Sequence, residues 1–375
     1  MKYIGGPLEL TSSYLKSALV ADVNTQMGLS NTARWTASGR SGLALILEHW
    51  DEQLADGWML LPDYMCWDSV SSLFQNIKVQ YVPINEQFEI NSALLEKYLS
   101  DTALRSILLV DYFGLCNLSS QIDLIHSLRP DIFIIIDAVQ AFSSLTLSLE
   151  RYIGADAVFT SPRKTLPVPD GGLVIIKEND DLTVPLITEN SSERAALYLA
   201  AGTLRDGFVN GEFGELSAEI IEPLYLELYK RHGNLIETKV EAISTLSMEI
   251  LSRIDLRTVA NKRLSNFNWM QNSILEGRGH GIIRPALQNV MEPGLVYPVR
   301  VPFDHRTQLR AFLNKEGIYC PIHWPIPPQM KTILGDDSTR LSAELLSLPI
   351  DQRYDNSDLS RLLSTIEKYR ELYKL

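Results

Sequence analysis

The chain has 375 residues, of which 45% are hydrophobic and 21% charged, the balance of a soluble globular protein with enough core for a large domain and a smaller one. Its formal charge of -12 argues against a general attraction to nucleic acid or an anionic membrane, so a phosphate would need a local site. Three scattered cysteines, Cys66, Cys116 and Cys320, offer neither a disulfide framework nor a metal-binding pair; with no apolar run near a membrane span and no signal-peptide start, a cytoplasmic protein without a metal is expected.

From about Ser38 to Ile176, short apolar runs alternate with helical patterns, the sequence form of a largely parallel sheet covered by helices. Ser38-Gly39-Arg40-Ser41-Gly42 leads into the apolar helix around Leu43 to Leu47. Such a turn offers backbone NH groups to an anion, and it is equally an ordinary helix cap. Trp67 follows Pro62-Asp63-Tyr64-Met65-Cys66 and either stacks on a ring or fills the core. Asn91 caps a helix with Leu94, Leu95, Tyr98 and Leu99 on one face, and Ile107 to Val110 is a buried strand. Ile122, Ile125 and Leu128 recur at helical spacing, and Pro130 ends that helix before the strand Ile132 to Ile136. Asp137 stands at this strand's carboxyl end, where open α/β sheets bind ligands.

From about Glu189 to Gly277 the chain is polar and helix-rich and either crosses the large domain or reaches a partner subunit. Asn261-Lys262-Arg263 through Asn266-Phe267 either faces the site or is a polar helix surface, and the second is favoured. Gly277-Arg278-Gly279-His280-Gly281 mimics a phosphate loop but follows a helix, whereas a dinucleotide fingerprint needs strand, turn and helix in that order. Val296 to Val301 has strand composition, Arg306 to Glu316 is helical with a stop at Gly317, and Leu359, Leu362, Leu363, Ile366 and Tyr369 line a final amphipathic helix. The expected division is 1–244 for the large domain with its helical extension and 245–375 for the smaller one.

Two positions carry the chemistry. Lys164 in Thr160-Ser161-Pro162-Arg163-Lys164 is an isolated amine ahead of Asp170-Gly171-Gly172, and Asp137 is a carboxylate where burial demands a partner. Pyridoxal phosphate needs both, an amine for its aldehyde and an acid for its ring nitrogen. Only an unprotonated amine can attack, so the site must lower the pKa of Lys164. Thr160 and Ser161 have hydroxyls for a phosphate, and Arg163 has a charge. Against these stand a solvated surface lysine and a carboxylate that merely caps the next helix. His323, in the stiff stretch Gly317 to Pro325, either meets substrate or is a structural imidazole.

In order along the chain these segments resemble the fold type I pyridoxal phosphate enzymes, and among them the DegT/StrS-type sugar aminotransferases. Ser38 to Leu43 looks like that family's phosphate turn, Asp137-Ala138-Val139-Gln140-Ala141 like its acid and glutamine, and Lys164 with Asp170-Gly171-Gly172 like its Schiff-base segment. Gly317 to Pro325 and Ser347-Leu348-Pro349-Ile350 resemble later landmarks. The resemblance implies a three-layer αβα large domain with a mostly parallel sheet and a smaller α+β domain. By it, Lys164 links to pyridoxal 5'-phosphate and moves the substrate proton, Asp137 binds the ring nitrogen, and Gln140 binds the ring hydroxyl. Gly39, Arg40 and Ser41 then serve the phosphate with Ser161 or Thr160. It also implies a homodimer acting on an amino donor such as glutamate and a keto acceptor such as a keto sugar or nucleotide-linked keto sugar.

Two residues depart from the family pattern: Arg40 replaces a small hydroxyl residue and Phe159 replaces a phosphate-binding serine. The family's tyrosine- and asparagine-rich segment after the lysine is missing as well. Two other functions use the same scaffold: lyase, aldolase or decarboxylase chemistry with the same cofactor, and non-catalytic cofactor binding in a regulatory protein.

Overall fold

A computed structural model describes residues 2–374 apart from 12–13, 15, 30–32, 51–56, 178–191, 236–238 and 289. Seven strands form the main sheet: β1 (Ala33–Thr36), β2 (Trp58–Pro62), β3 (Val79–Val82), β4 (Leu104–Val110), β5 (Phe133–Ala138), β6 (Ala157–Thr160) and β7 (Gly172–Ile176). Their spatial order is β1-β7-β6-β5-β4-β2-β3, and β7 alone runs antiparallel to its neighbours. The central strands are almost continuously buried, with Leu60, Leu61, Ile107, Leu108, Ile134 and Ile136 at 0% exposure. A parallel sheet covered on both faces requires such runs, which explains the absence of polar alternation in the sequence.

Helix α1 (Gly39–His49) is capped by Ser38, whose Oγ accepts the Ser41 NH at 3.1 Å, and its Leu43 to Leu47 stretch is wholly buried. Asn91 caps α2 (Ser92–Leu99) in the same way through Leu94 NH at 3.2 Å. Next come α3 (Ser119–Leu128) and α4 (Phe142–Leu147), the latter starting just past the end of β5. Glu189 lies outside the described residues; from Ser192 onward the helix-rich region forms α5 (Ser192–Val209), α6 (Glu222–Asn234), α7 (Thr245–Ser252) and α8 (Leu256–Leu275).

The C-terminal part is built on β8 (Tyr297–Arg300) between β9 (Leu345–Leu348) and Arg284–Pro285, all antiparallel. Helices α9 (Phe303–Lys315), α10 (Asp336–Glu344) and α11 (Asn356–Tyr373) accompany it, and the buried face of α11 includes Leu359, Leu362, Leu363, Ile366 and Tyr369. Two contacts cross the expected boundary at 244/245. Ile4–Gly5 pairs in parallel with Ile318–Tyr319, tying the amino terminus to the smaller part. Asp170 of the large part donates its backbone NH to the Ser247 hydroxyl at 3.3 Å, which anchors the first turn of α7 beside β7.

Candidate active site

The carboxyl ends of β4, β5 and β6 deliver Asp111, Asp137 and the turn Ser161–Lys164 to one place. There a cavity of about 90 Å³ is walled by Gly39, Arg40, Asp137, Gln140, Phe159, Ser161, Arg163, Lys164 and Trp324, among others. Lys164 ends a short 3-10 turn after β6, fixed by Thr165 NH to Pro162 O at 2.9 Å and Leu166 NH to Pro162 O at 2.8 Å. Its Nζ makes no hydrogen bond with any described residue, and the exposed side chain lines two cavities. Dense surroundings, and secondarily the Arg163 charge, bring its amine down to about 8.

Asp137 accepts Val139 NH at 3.0 Å. Burial raises its carboxyl to about 6 against that hydrogen bond. Among the described residues no ion pair reaches it, so the acid stands without a cation in contact, the Lys164 amine acting on it from farther off. Gln140 is oriented by Phe113 NH, which donates to its Oε1 at 2.9 Å; with that oxygen engaged, its amide NH2 is the part left for a ligand. Arg163 has a buried Nε with no hydrogen-bond partner, and burial, with Arg40 and Arg194 nearby, lowers its pKa. A bound anion would satisfy that atom.

Three expected contributors are committed elsewhere. The Ser41 NH goes to the Ser38 cap, and its hydroxyl donates to Glu241 O at 3.2 Å while accepting Glu241 NH at 2.8 Å. The start of α1 therefore meets the cavity through Gly39 and Arg40. The Thr160 hydroxyl donates to Ala138 O at 2.6 Å, bridging two strands away from the cavity. Trp67 donates its Nε1 to Asp63 O at 3.1 Å and packs edge-on against Tyr81, 5.1 Å between centroids. It belongs to the core, and the aromatic wall of the cavity is Trp324 instead. Ser161 does line the cavity, with its hydroxyl donated to Gly171 O at 2.8 Å.

Lys164 also lines a second cavity, of about 170 Å³, with Arg263, His323, Asp351 and Arg353. His323 Nδ1 pairs with Ser347 Oγ at 2.8 Å, and burial, with Lys164 beside it, lowers the imidazole to about 3. It is neutral at physiological pH. The reading of 261–267 as a polar surface is overturned: Arg263, Asn266 and Phe267 are buried. Asn266 donates to the Ile350, Asp351 and Tyr354 carbonyls at 3.0 to 3.1 Å, so its polarity serves an internal joint.

Asp111 and Trp324 are wall residues that sequence reasoning missed, and Arg263 belongs to the stretch whose less favoured reading was to face the site. Asp111 follows Val110 as directly as Asp137 follows Ile136, so the same strand-end argument would have found it. Trp324 and Arg263 arrive from the C-terminal part through tertiary packing and leave no local signal.

The architecture is a mostly parallel seven-stranded α/β sheet with a smaller three-stranded antiparallel sheet. No protein-family model matches the sequence, and no curated protein matches it. Solved structures do: Spr1654 of Streptococcus pneumoniae in its PMP form aligns with TM-score 0.65 at 15% identity, covering 99% of this chain and 99% of that one. A DegT DnrJ EryC1 StrS aminotransferase from Brucella abortus aligns with TM-score 0.60 at 17% identity, over 98% and 91%. The sugar aminotransferase CalS13 from Micromonospora echinospora gives 0.59 at 14%, over 96% and 99%. At these identities the likeness establishes the fold.

Proposed function

We propose that the chain is a pyridoxal 5'-phosphate-dependent aminotransferase that moves an amino group from an amino acid, with glutamate the expected donor, to a keto compound such as a keto sugar or nucleotide-linked keto sugar. One observation carries the reading: a lysine with no hydrogen bond at Nζ, an acid without a cation and an arginine Nε without a partner converge on one cavity. Two of the structural neighbours are themselves aminotransferases, which supports it.

The cofactor, when bound, supplies an aldehyde for an amine and a ring that accepts electrons from a breaking bond at the donor carbon. Asp137 holds the proton of the ring nitrogen and gains the cation it lacks. Gln140 donates its NH2 to the ring hydroxyl. The start of α1 at Gly39 and Arg40, with Arg163, holds the phosphate, aided by the positive end of the helix, and Ser161 joins them once its hydroxyl turns from Gly171 O. Trp324 and Phe159 close the walls against water. Lys164, with its amine near 8, would offer the aldehyde a neutral amine at physiological pH and would be the base that holds the proton leaving the donor carbon.

A cytoplasmic homodimer completes this reading. Three free cysteines suit a reducing compartment, and Leu216, Ile220 and Leu224 stand exposed where α5 turns into α6, a surface suited to a second copy. Light scattering during gel filtration measures the assembly. For the reaction, cofactor-loaded protein is mixed with glutamate, and 2-oxoglutarate is measured. Stoichiometric 2-oxoglutarate supports the aminotransferase. Decarboxylated or eliminated donor would indicate lyase chemistry, and binding without product a regulatory protein.

A further inference from the structure

The segment between β4 and α3 carries the Phe113 NH that orients Gln140, and its backbone has an unfavourable form. Phe113 stands at φ 62° and Gly114 at φ 74°, two successive residues in the left-handed region, which a bulky side chain such as phenylalanine rarely enters. Such a conformation persists where its surroundings fix it from several sides. Around residues 111–116 one side chain supplies three of those contacts. Arg151 Nε meets the Asp111 carboxylate at 2.9 Å, while its Nη2 donates to Cys116 O at 2.9 Å and to Gly114 O at 3.2 Å. Its Nη1 meets Glu292 of the C-terminal part at 2.6 Å, so all three nitrogens of the fork are engaged.

The same turn reaches the cofactor site through its amides. The Asp111 NH donates to Asp137 O at 3.0 Å, and the Phe113 NH donates to Gln140 Oε1 at 2.9 Å. The second contact holds a side chain. Gln140 is 7% exposed and lines the cofactor cavity, and no described residue accepts a hydrogen bond from its NH2. Arg151 is outside that cavity's wall and lines a separate outer one of about 1060 Å³. Any influence it has on the cofactor passes through the turn.

We propose that Arg151 is a positioning residue for the cofactor ring: by closing the 111–116 turn it fixes the Phe113 NH, and through that NH the direction in which Gln140 presents its NH2. The proposal rests on the reading above in which Gln140 donates to the ring hydroxyl. A lysine at 151 would still neutralise the buried Asp111, yet a point charge cannot span one carboxylate and two carbonyls as a planar guanidinium does. Charge compensation and positioning are therefore separable.

The test measures how tightly cofactor-free protein binds pyridoxamine 5'-phosphate and its 3-deoxy counterpart, which lacks the ring hydroxyl. Neither has an aldehyde, so the ratio of the two dissociation constants reports the hydroxyl contact without the lysine linkage or turnover. Ring electronics enter that ratio equally for every variant. The proteins are wild type, R151K, R151M, Q140A and the double variant R151M/Q140A. Wild type is expected to prefer the hydroxyl-bearing compound by a factor on the order of ten. The preference should fall to about two- to threefold in R151K and vanish in R151M and Q140A. In the double variant it should be no lower than in Q140A alone, because both substitutions remove one contact.

A folded R151K with the full wild-type preference would overturn the proposal, whether or not both affinities fall, since neutralising Asp111 would then be the whole role of Arg151. That arm decides the matter even where R151M fails to fold. A ratio that R151M lowers further in the Q140A background would overturn it as well. Wild type without a preference, or Q140A that keeps it, would remove the Gln140 contact and the positioning role with it, leaving the aminotransferase reading in place. Wild type that binds neither compound would overturn the cofactor reading itself.

Discussion

The amide of Asp111 donates to the carbonyl oxygen of Asp137 at 3.0 Å, so the ends of β4 and β5 set two acids side by side. Their surroundings differ. Asp111 meets Arg151 at 2.9 Å, the Tyr152 hydroxyl at 2.5 Å and Cys116 NH at 2.8 Å, whereas the carboxylate of Asp137 has Val139 NH and, among the described residues, no ion pair. One acid is structural, and the other is left open for a ligand's positive group.

That difference predicts a pH dependence. In cofactor-free protein the Asp137 carboxyl is raised, mainly by burial, from its ordinary 3.8 to about 6. The native state then retains a proton that the unfolded chain releases between those values, so this group's contribution to stability falls as pH rises through the window. Melting temperatures of wild type and D137N, measured from pH 4 to 7 without cofactor, should diverge accordingly, with wild type losing ground as pH rises. Parallel curves would count against the unpaired acid.

Arg163 is expected to set both the amine and the phosphate grip. After burial it is the largest influence lowering Lys164 to about 8. R163Q should shift the pH midpoint for aldehyde capture by the cofactor-free protein upward, toward the usual lysine value, and weaken affinity for inorganic phosphate. Capture rates followed by absorbance from pH 6 to 10 give the midpoint; an unmoved midpoint would remove Arg163 from the site's electrostatics.

The Asp-Gly-Gly segment has a steric reason. A Cβ on Gly172 would lie 2.3 Å from the Ser38 carbonyl oxygen, in the backbone that caps α1. Backbone has little room to give, so G172A should destabilise by about 2–4 kcal/mol and reduce cofactor affinity by displacing the start of α1. Urea unfolding and cofactor titration check the two effects. Alanine tolerated with unchanged affinity would show that β7 need not approach α1 so closely.

Sequence and structure agree where chemistry is carried by local order. β5 and its terminal Asp137, the turn holding Lys164 and the Ser38 cap were all legible because a strand's apolar run, a cap and a glycine turn are short-range signals. The strand extends to Ala138 because its backbone still pairs with β6 through Ala138 and Thr160, a register that periodicity does not encode. Long-range choices were hidden. Trp67 and Trp324 look equally suited to a ring, and only packing sends one into the core and the other to the cavity. Arg263 sits in a polar stretch that reads as solvated, yet the approach of 294–295 and Gln352 buries it. Ser41 and Thr160 have suitable hydroxyls whose hydrogen bonds are used by Glu241 and Ala138.

The most direct measurement is borohydride reduction of the protein incubated with pyridoxal 5'-phosphate, followed by peptide mass spectrometry of wild type and K164A. The account predicts a cofactor adduct on the peptide bearing Lys164 in wild type and none at that peptide in K164A. An adduct on a different lysine, or no adduct in folded wild type, would contradict it.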